Sequence, residues 1–287
     1  VASQEPEETK DEVIARLSAL DPIEYDRQRK AAANALGVRE STLDKQVSMA
    51  RKDAEEGVGG ALDMDDPETW EESVDGAELL DTLTETIRRY MVLGRAEADA
   101  VALWAVHTHA HDAAMVSPIL SITSPQKRCG KTTLLSLLQA LTRRPLPASN
   151  ITAAALFRGV EKWKPTVLVD EADTYLRESD DLRGVLNSGH NRNGAYVIRT
   201  TGDDHEPRAF STWAPKAIAL IGNMPDTLAD RSVAIALRRK TEDEDAAPLR
   251  LDRLDRLAEL PRQCRRWADD HHVALKNADP EIPRPLH

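Results

Sequence analysis

From residue 11 the apolar positions recur at helical spacing (Val13, Ile14, Leu17, Leu20), and Asp21-Pro22 then opens a second helix with proline at its first position. That helix is expected to run to Leu36 and stop at Gly37. Ser41 with Asp44 three residues on predicts a capping box, opening a third helix to about Ala54. Residues 1–12 are acidic and polar and predict a frayed lead-in, while 53–76 are rich in Gly, Asp and Glu, lack periodicity and read as an acidic linker. Helical patterns return at 77–92 and 97–109. The period then changes: a short β-branched run (Ile119, Leu120, Ile122) predicts a strand, and after a polar loop the leucines at 134, 135, 137, 138 and 141 predict a helix. Further helices are expected at 150–161, capped at Asn150 or Thr152, and at 180–188, ending at Gly189. Strands are expected at 166–169, 215–222 and 233–237, and the pair 195–200 and 208–213 predicts a β-hairpin inserted before a core strand. Residues 249–276 are helical in pattern, interrupted at Pro261. Strands alternating with helices predict an α/β fold with a parallel αβα sheet, preceded by a small all-helical domain. The expected divisions are 1–56, a linker at 57–76, a core at 77–240 and a C-terminal helical segment at 241–287.

The loop between the first core strand and its helix reads SPQKRCGKTT, at 124–133. Strand, loop and helix in that order give the GKT match a mechanism, because loop N–H groups and the helix's positive end cradle phosphates. Gln126, Lys127, Arg128, Cys129, Gly130, Lys131, Thr132 and Thr133 are the candidate nucleotide-binding residues. Lys131 would reach the β- and γ-phosphates, and Thr132 would hold Mg²⁺ through its hydroxyl. Pro125 stands where the usual motif has its first glycine. Downstream, TVLVDEAD at 166–173 is an apolar run ending in acids, the form of a Walker B strand. Asp170 would hold the metal shell and Glu171 would polarise the attacking water.

Composition adds bounds. Hydrophobic residues make up 41% and charged residues 30%, as in soluble globular proteins. No apolar run is long enough to span a membrane and no secretory leader opens the chain, so a cytoplasmic setting is expected. Two cysteines, Cys129 and Cys264, fit a reducing compartment without a disulfide framework. A net charge of −11 weighs against a general nucleic-acid coat but leaves room for a local basic face. The helices around Gly37 have helix-turn-helix spacing. Arg39, Lys45, Arg51 and Lys52 would meet DNA phosphates and Ser41, Thr42 and Gln46 base edges, the alternative being a helical adaptor that touches protein. His107, His109 and His111 have metal-like spacing, but no Cys or carboxylate cluster completes a site, so packing roles are expected.

SPQKRCGKTT, LVDEAD and APKAIALIGNMPDTLADRS (214–232), taken together and in order, resemble the DUF3631 family of AAA+-like P-loop ATPases. The resemblance covers about 79–239 and implies ATP with Mg²⁺, a helicase-like setting in mobile-element or phage replication, and ring-like homo-oligomers. It implies a water-placing sensor at Asn223, where a turn asparagine is the alternative, and a trans arginine finger at Arg231, where a salt bridge with Asp230 is the alternative. It also implies that the hairpin faces a pore, with Arg192, Arg199 and Arg208 toward nucleic acid, unless the hairpin is purely structural. The helical lid expected after the core looks short, which leaves a second sensor without a candidate. Three readings stay open: a DNA-coupled ATPase, a nucleotide-gated assembly or switch without a nucleic-acid track, and a DNA-binding regulator that only binds nucleotide.

Overall fold

The computed structural model describes residues 9–57, 64–174, 176, 179–201 and 206–281. The chain divides into two compact units, Val1–Asp63 and Met64–His287.

The first unit holds helices α1 (Lys10–Ser18), α2 (Pro22–Ala35) and α3 (Glu40–Gly57). Thr9 and Glu12 form a reciprocal capping box at α1, and the Asp21 carboxylate caps α2 by accepting from Ile23 and Glu24 N–H. Gly37 takes the left-handed conformation (φ +67) that ends α2, as its position predicts. Val13, Leu17, Ala33, Leu43 and Val47 form the core between these helices. The third helix differs from expectation. It starts at Glu40, which leaves Ser41 inside the first turn rather than capping it. Asp44 is taken instead by the Tyr25 hydroxyl at 2.6 Å and by Arg29, so tertiary contacts override the local capping pattern. Arg51 is also spent, donating to the carbonyls of Leu17, Ser18 and Leu20. Arg39 and Lys45 remain exposed, and the Lys52 side chain lies outside the described residues.

In the second unit the elements are α4 (Gly76–Tyr90), α5 (Arg95–Ala110), β1 (Ile119–Ser124), α6 (Lys131–Leu141), β2 (Pro145–Ala148), α7 (Ala153–Trp163) and β3 (Thr166–Val169). There follow α8 (Asp180–Ser188), β4 (Tyr196–Thr201), β5 (Glu206–Ser211), β6 (Lys216–Ile221), α9 (Asp226–Ala229), β7 (Ser232–Ala236) and α10 (Glu259–Lys276). Five strands form one sheet in the order β2-β3-β6-β1-β7, and every pairing within it is parallel. Its strands are apolar on both faces, the mark of a sheet covered on each side. Leu120, Ile122, Leu168, Ala217 and Ala219 pack with α4, α5, α6 and α10 on one side. The alternate residues Val167, Val169, Ile218 and Leu220 pack with α7 and α8 on the other. β4 and β5 pair antiparallel in a separate hairpin whose tip, 202–205, lies outside the described residues.

Two further expectations change. Pro261 does not interrupt the last helix but sits in its first turn, where a missing N–H breaks no helical bond. Residues 64–75, expected as linker, are fastened to the second unit. Asp66 accepts from Arg143 at 2.6 Å and from Arg144 at 3.0 Å, and Arg262 lies over the Trp70 ring. The histidines at 107, 109 and 111 have packing partners: His107 meets Ser117 Oγ at 3.1 Å, His109 the Leu141 carbonyl at 2.9 Å, and His111 stacks on Trp213. Both cysteines are free and buried. Among the described residues no helix is long and apolar enough to cross a membrane.

Candidate nucleotide site

β1 ends at Ser124 and α6 begins at Lys131, so the connecting loop lies at the C-terminal edge of the sheet. β1 is flanked by β6 and β7, a central position that fixes the loop from both sides. The loop bends through left-handed conformations at Arg128 (φ +65) and Gly130 (φ +90). Gly130 is favoured by its φ, and a Cβ there would press on Met91 Cε at 3.0 Å, so that flexible side chain would have to yield. Cys129 turns inward and is buried in the core beneath the loop, where its thiol anchors the bend. The first N–H groups of α6 have no intrahelical acceptor and form the positive end of a helix.

A cavity of about 440 Å³ opens at this edge. Lys127, Arg128, Cys129, Gly130, Lys131, Thr132 and Thr133 line one wall, and Asp170 and Glu171 line another. Lys131 Nζ donates to Ser124 Oγ at 2.7 Å, which holds the ammonium close over the loop. Thr132 Oγ1 donates to Asp170 Oδ2 at 3.3 Å, joining the two motifs across the sheet edge. Glu171 sits just past β3 with φ +52, its side chain exposed. A strained non-glycine residue at a strand end is a recurrent feature of functional positions.

Three expected residues lie elsewhere. Gln126 does not line the cavity; its carbonyl accepts from Ser124 Oγ at 2.8 Å and braces the loop. Asn223 follows Gly222 (φ +90) and is exposed, and the cavity wall at this strand end is Ile221. Arg231 precedes β7, and its carbonyl accepts from Ile119 N–H at the opposite end of β1 from the loop. The length of β1 places it about 16 Å from its own phosphate loop, beyond the reach of an arginine side chain. Its guanidinium donates to Asn187 Oδ1 at 2.9 Å and to the Thr227 carbonyl at 2.6 Å, not to Asp230.

Other residues at the site were not assigned from sequence. Asp173 lines the cavity and accepts from Ile221 N–H at 3.0 Å, tying the ends of β3 and β6 together. The DEAD run contains it, but only the first two acids were given roles. Arg239 donates to the Lys127 carbonyl at 3.3 Å, bringing a cation to the loop's outer side. Its only sequence signal is the basic run at 238–240. Just before the hairpin Arg192 donates to the Asp112 carbonyl and lies over Trp213; in the hairpin Arg199 pairs with Asp181 and Arg208 lies over Phe210. Arg192 and Arg208 remain exposed alongside these contacts.

No protein-family model matches the chain, and no curated protein matches it. Among solved structures, JCV helicase is similar at 14% identity and a TM-score of 0.30, covering 92% of this chain and 85% of that one. An inhibitor-bound structure of JCV helicase is similar at 13% identity and a TM-score of 0.28, covering 92% of this chain and 79% of that one. The DUF3631 resemblance therefore rests on the ordered motifs alone. The fold is mixed α/β with a parallel central sheet, and the site is a glycine-containing loop and helix N-terminus facing an acidic strand end.

Proposed function

We propose that this chain is a Mg²⁺-dependent ATPase of the AAA+-like P-loop class, coupled to DNA and working as a homo-oligomer in mobile-element replication. The observation that carries the reading is the 3.3 Å contact between Thr132 Oγ1 and Asp170 Oδ2, made beside Lys131 and Glu171 in one cavity. A hydroxyl and a carboxylate are hard oxygen donors, and Mg²⁺ is typically held by one or two carboxylates together with substrate phosphates. Bound there by Thr132 and Asp170, the ion would supply charge neutralisation on the phosphates. Lys131 exchanges Ser124 Oγ for phosphate oxygen, and the α6 N–H groups and Gly130 hold the remaining oxygens. Glu171 accepts a proton from the attacking water. Arg231 acts on a neighbouring subunit's nucleotide, which its distance from its own loop requires of any phosphate role.

The DNA coupling and the AAA+ class rest on the family resemblance, with exposed Arg39 and Lys45 in the helical unit as the residues for DNA phosphates. A second reading, a slow nucleotide-gated switch, is favoured by Asn223 lying outside the cavity and by the local bonds of Arg231. Measuring ATP turnover with and without single- and double-stranded DNA, alongside the mass of the ATP-bound species, separates the two. DNA-stimulated turnover in an oligomer supports the motor; assembly with slow, DNA-indifferent turnover supports the switch.

A further inference from the structure

A second cavity, of about 300 Å³, opens at the other end of the same strands. Thr166 and Pro215, at the starts of β3 and β6, form its floor, and the feet of the β4–β5 hairpin form a side. Its volume is at the lower bound of ordinary small-molecule sites, roughly 300–1,000 Å³. Arg143, Lys164 and Arg192 line it, with Asp112 as the single acid among the described residues.

The charges do not cancel. Asp112 and Asp66 both pair with Arg143, which accounts for that cation. The Lys164 ammonium has no ion pair or hydrogen-bond acceptor among the described residues, and Arg192 gives one N–H to a carbonyl while its face rests on Trp213. Lys164 is held in the left-handed conformation (φ +48) at the end of α7 and is exposed at the cavity's edge. Behind the wall Lys216 is buried with, among the described residues, only the carbonyls of Gly189, Thr212 and Ala214 as partners. His111, which also lines the cavity, feels the same imbalance: burial chiefly, and then His107, Lys216, Arg192 and Arg143, push its pKa down to about 2, and each charged neighbour named is a cation or a histidine. Trp213 Nε1, which can only donate, is buried without an acceptor among the described residues. Uncompensated donors around a concave site are the requirement for binding an oxyanion.

We propose that this cavity is a second ligand site, distinct from the nucleotide loop, which takes a phosphate group on Lys164 and Arg192. A free phosphate compound and a nucleic-acid backbone present the same chemistry, and the test separates them.

The probe is pyrophosphate, titrated calorimetrically into the full chain carrying Lys131→Ala, which disables the loop's lysine. Saturable binding that persists in this variant, and weakens at least tenfold when Lys164→Asn is added, is expected. Asparagine tolerates the left-handed backbone, so this substitution removes the ammonium without straining the turn. Lys164→Arg should restore binding to within about threefold, which a merely structural lysine would not require. Arg192→Lys is the second variant and should weaken binding by a comparable factor, since a planar fork is replaced by a point charge. Displacement of pyrophosphate by a dT20 oligonucleotide would place the phosphate on a nucleic-acid strand; binding indifferent to dT20 would make it a soluble phosphate compound. No binding in Lys131→Ala, or binding unchanged by Lys164→Asn, overturns the proposal, whatever the protein's ATP turnover.

Discussion

The buried histidines set an acid limit on the fold whose size follows from their surroundings. Burial pushes the imidazoles of His107 and His109 down to about 4 and, with its cationic neighbours, that of His111 to about 2. Unfolded, each would titrate near ~6.5. Between these values the unfolded chain binds more protons than the native one, so stability falls as pH falls. Above pH ~7 the histidines are neutral in both states and exact no penalty. At pH 5 each costs about 2 kcal/mol and the set about 6 kcal/mol, against a total stability of roughly 5–15 kcal/mol. Carboxylates held low by their partners, such as Glu244, held at about 2 by Arg238 and the Thr241 N–H, lose their contribution only below the ordinary carboxylate range. The interval from pH 7 to 5 is therefore set mainly by the imidazoles, with a smaller fall in the same direction from Lys216, whose pKa burial lowers to about 7. Urea unfolding followed by circular dichroism at pH 7.5, 6 and 5 should show a midpoint that falls at each step. His109→Gln should flatten the dependence by about one third, since one of three comparable groups is removed. A midpoint unchanged between pH 7.5 and 5 would refute the reasoning, as would a native imidazole at 107 or 109 titrating near ~6.5 by NMR.

Gly189→Ala should destabilise by about 1–3 kcal/mol, because the new methyl would overlap Lys216 Nζ and the Thr212 carbonyl; thermal unfolding checks this, and an unchanged melting temperature contradicts it. Arg231→Ala should leave nucleotide affinity of the monomer intact and lower turnover by about 10³–10⁵. Mixing Arg231→Ala with Glu171→Gln should recover some activity, since one mixed interface pairs an intact Glu171 with an intact Arg231; no recovery in a complex shown to be mixed argues against a trans arginine. Asp66→Ala should lower stability by up to about 3 kcal/mol by leaving the Arg143 and Arg144 guanidiniums without their shared carboxylate, read as a shift in urea midpoint.

The sheet and the phosphate loop were legible because their signals are local. Ile119, Leu120 and Ile122 carry the strand, and Gly130-Lys131-Thr132 stands at the start of the helix that follows it. The Thr132–Asp170 contact spans 38 residues; the sequence offers each residue as a holder of the metal but not their direct contact. Expectations failed where distant groups outbid local ones. Ser41 and Asp44 spell a capping box, but Tyr25 and Arg29 hold the carboxylate. Acidic composition made residues 64–75 look unattached, and Asp66 together with Trp70 fastens them. Arg239 carries no motif, because its approach to Lys127 depends on where β7 delivers the chain. Asn223 was placed by its strand, yet the turn at Gly222 (φ +90) puts Ile221 at the cavity instead.

The central claim is that Lys131, Thr132, Asp170 and Glu171 form one ATP-hydrolysing site. The most direct measurement is ATP affinity and steady-state turnover, with Mg²⁺, for the wild-type chain, Lys131→Ala and Glu171→Gln side by side. Lys131→Ala should lose ATP binding, because the cation that meets the phosphates is gone. Glu171→Gln should bind ATP as the wild type does while turning over about 10²–10⁴ times more slowly, because the carboxylate acts on water and not on phosphate. Equal loss of affinity in both variants, or turnover indifferent to either, would contradict the account.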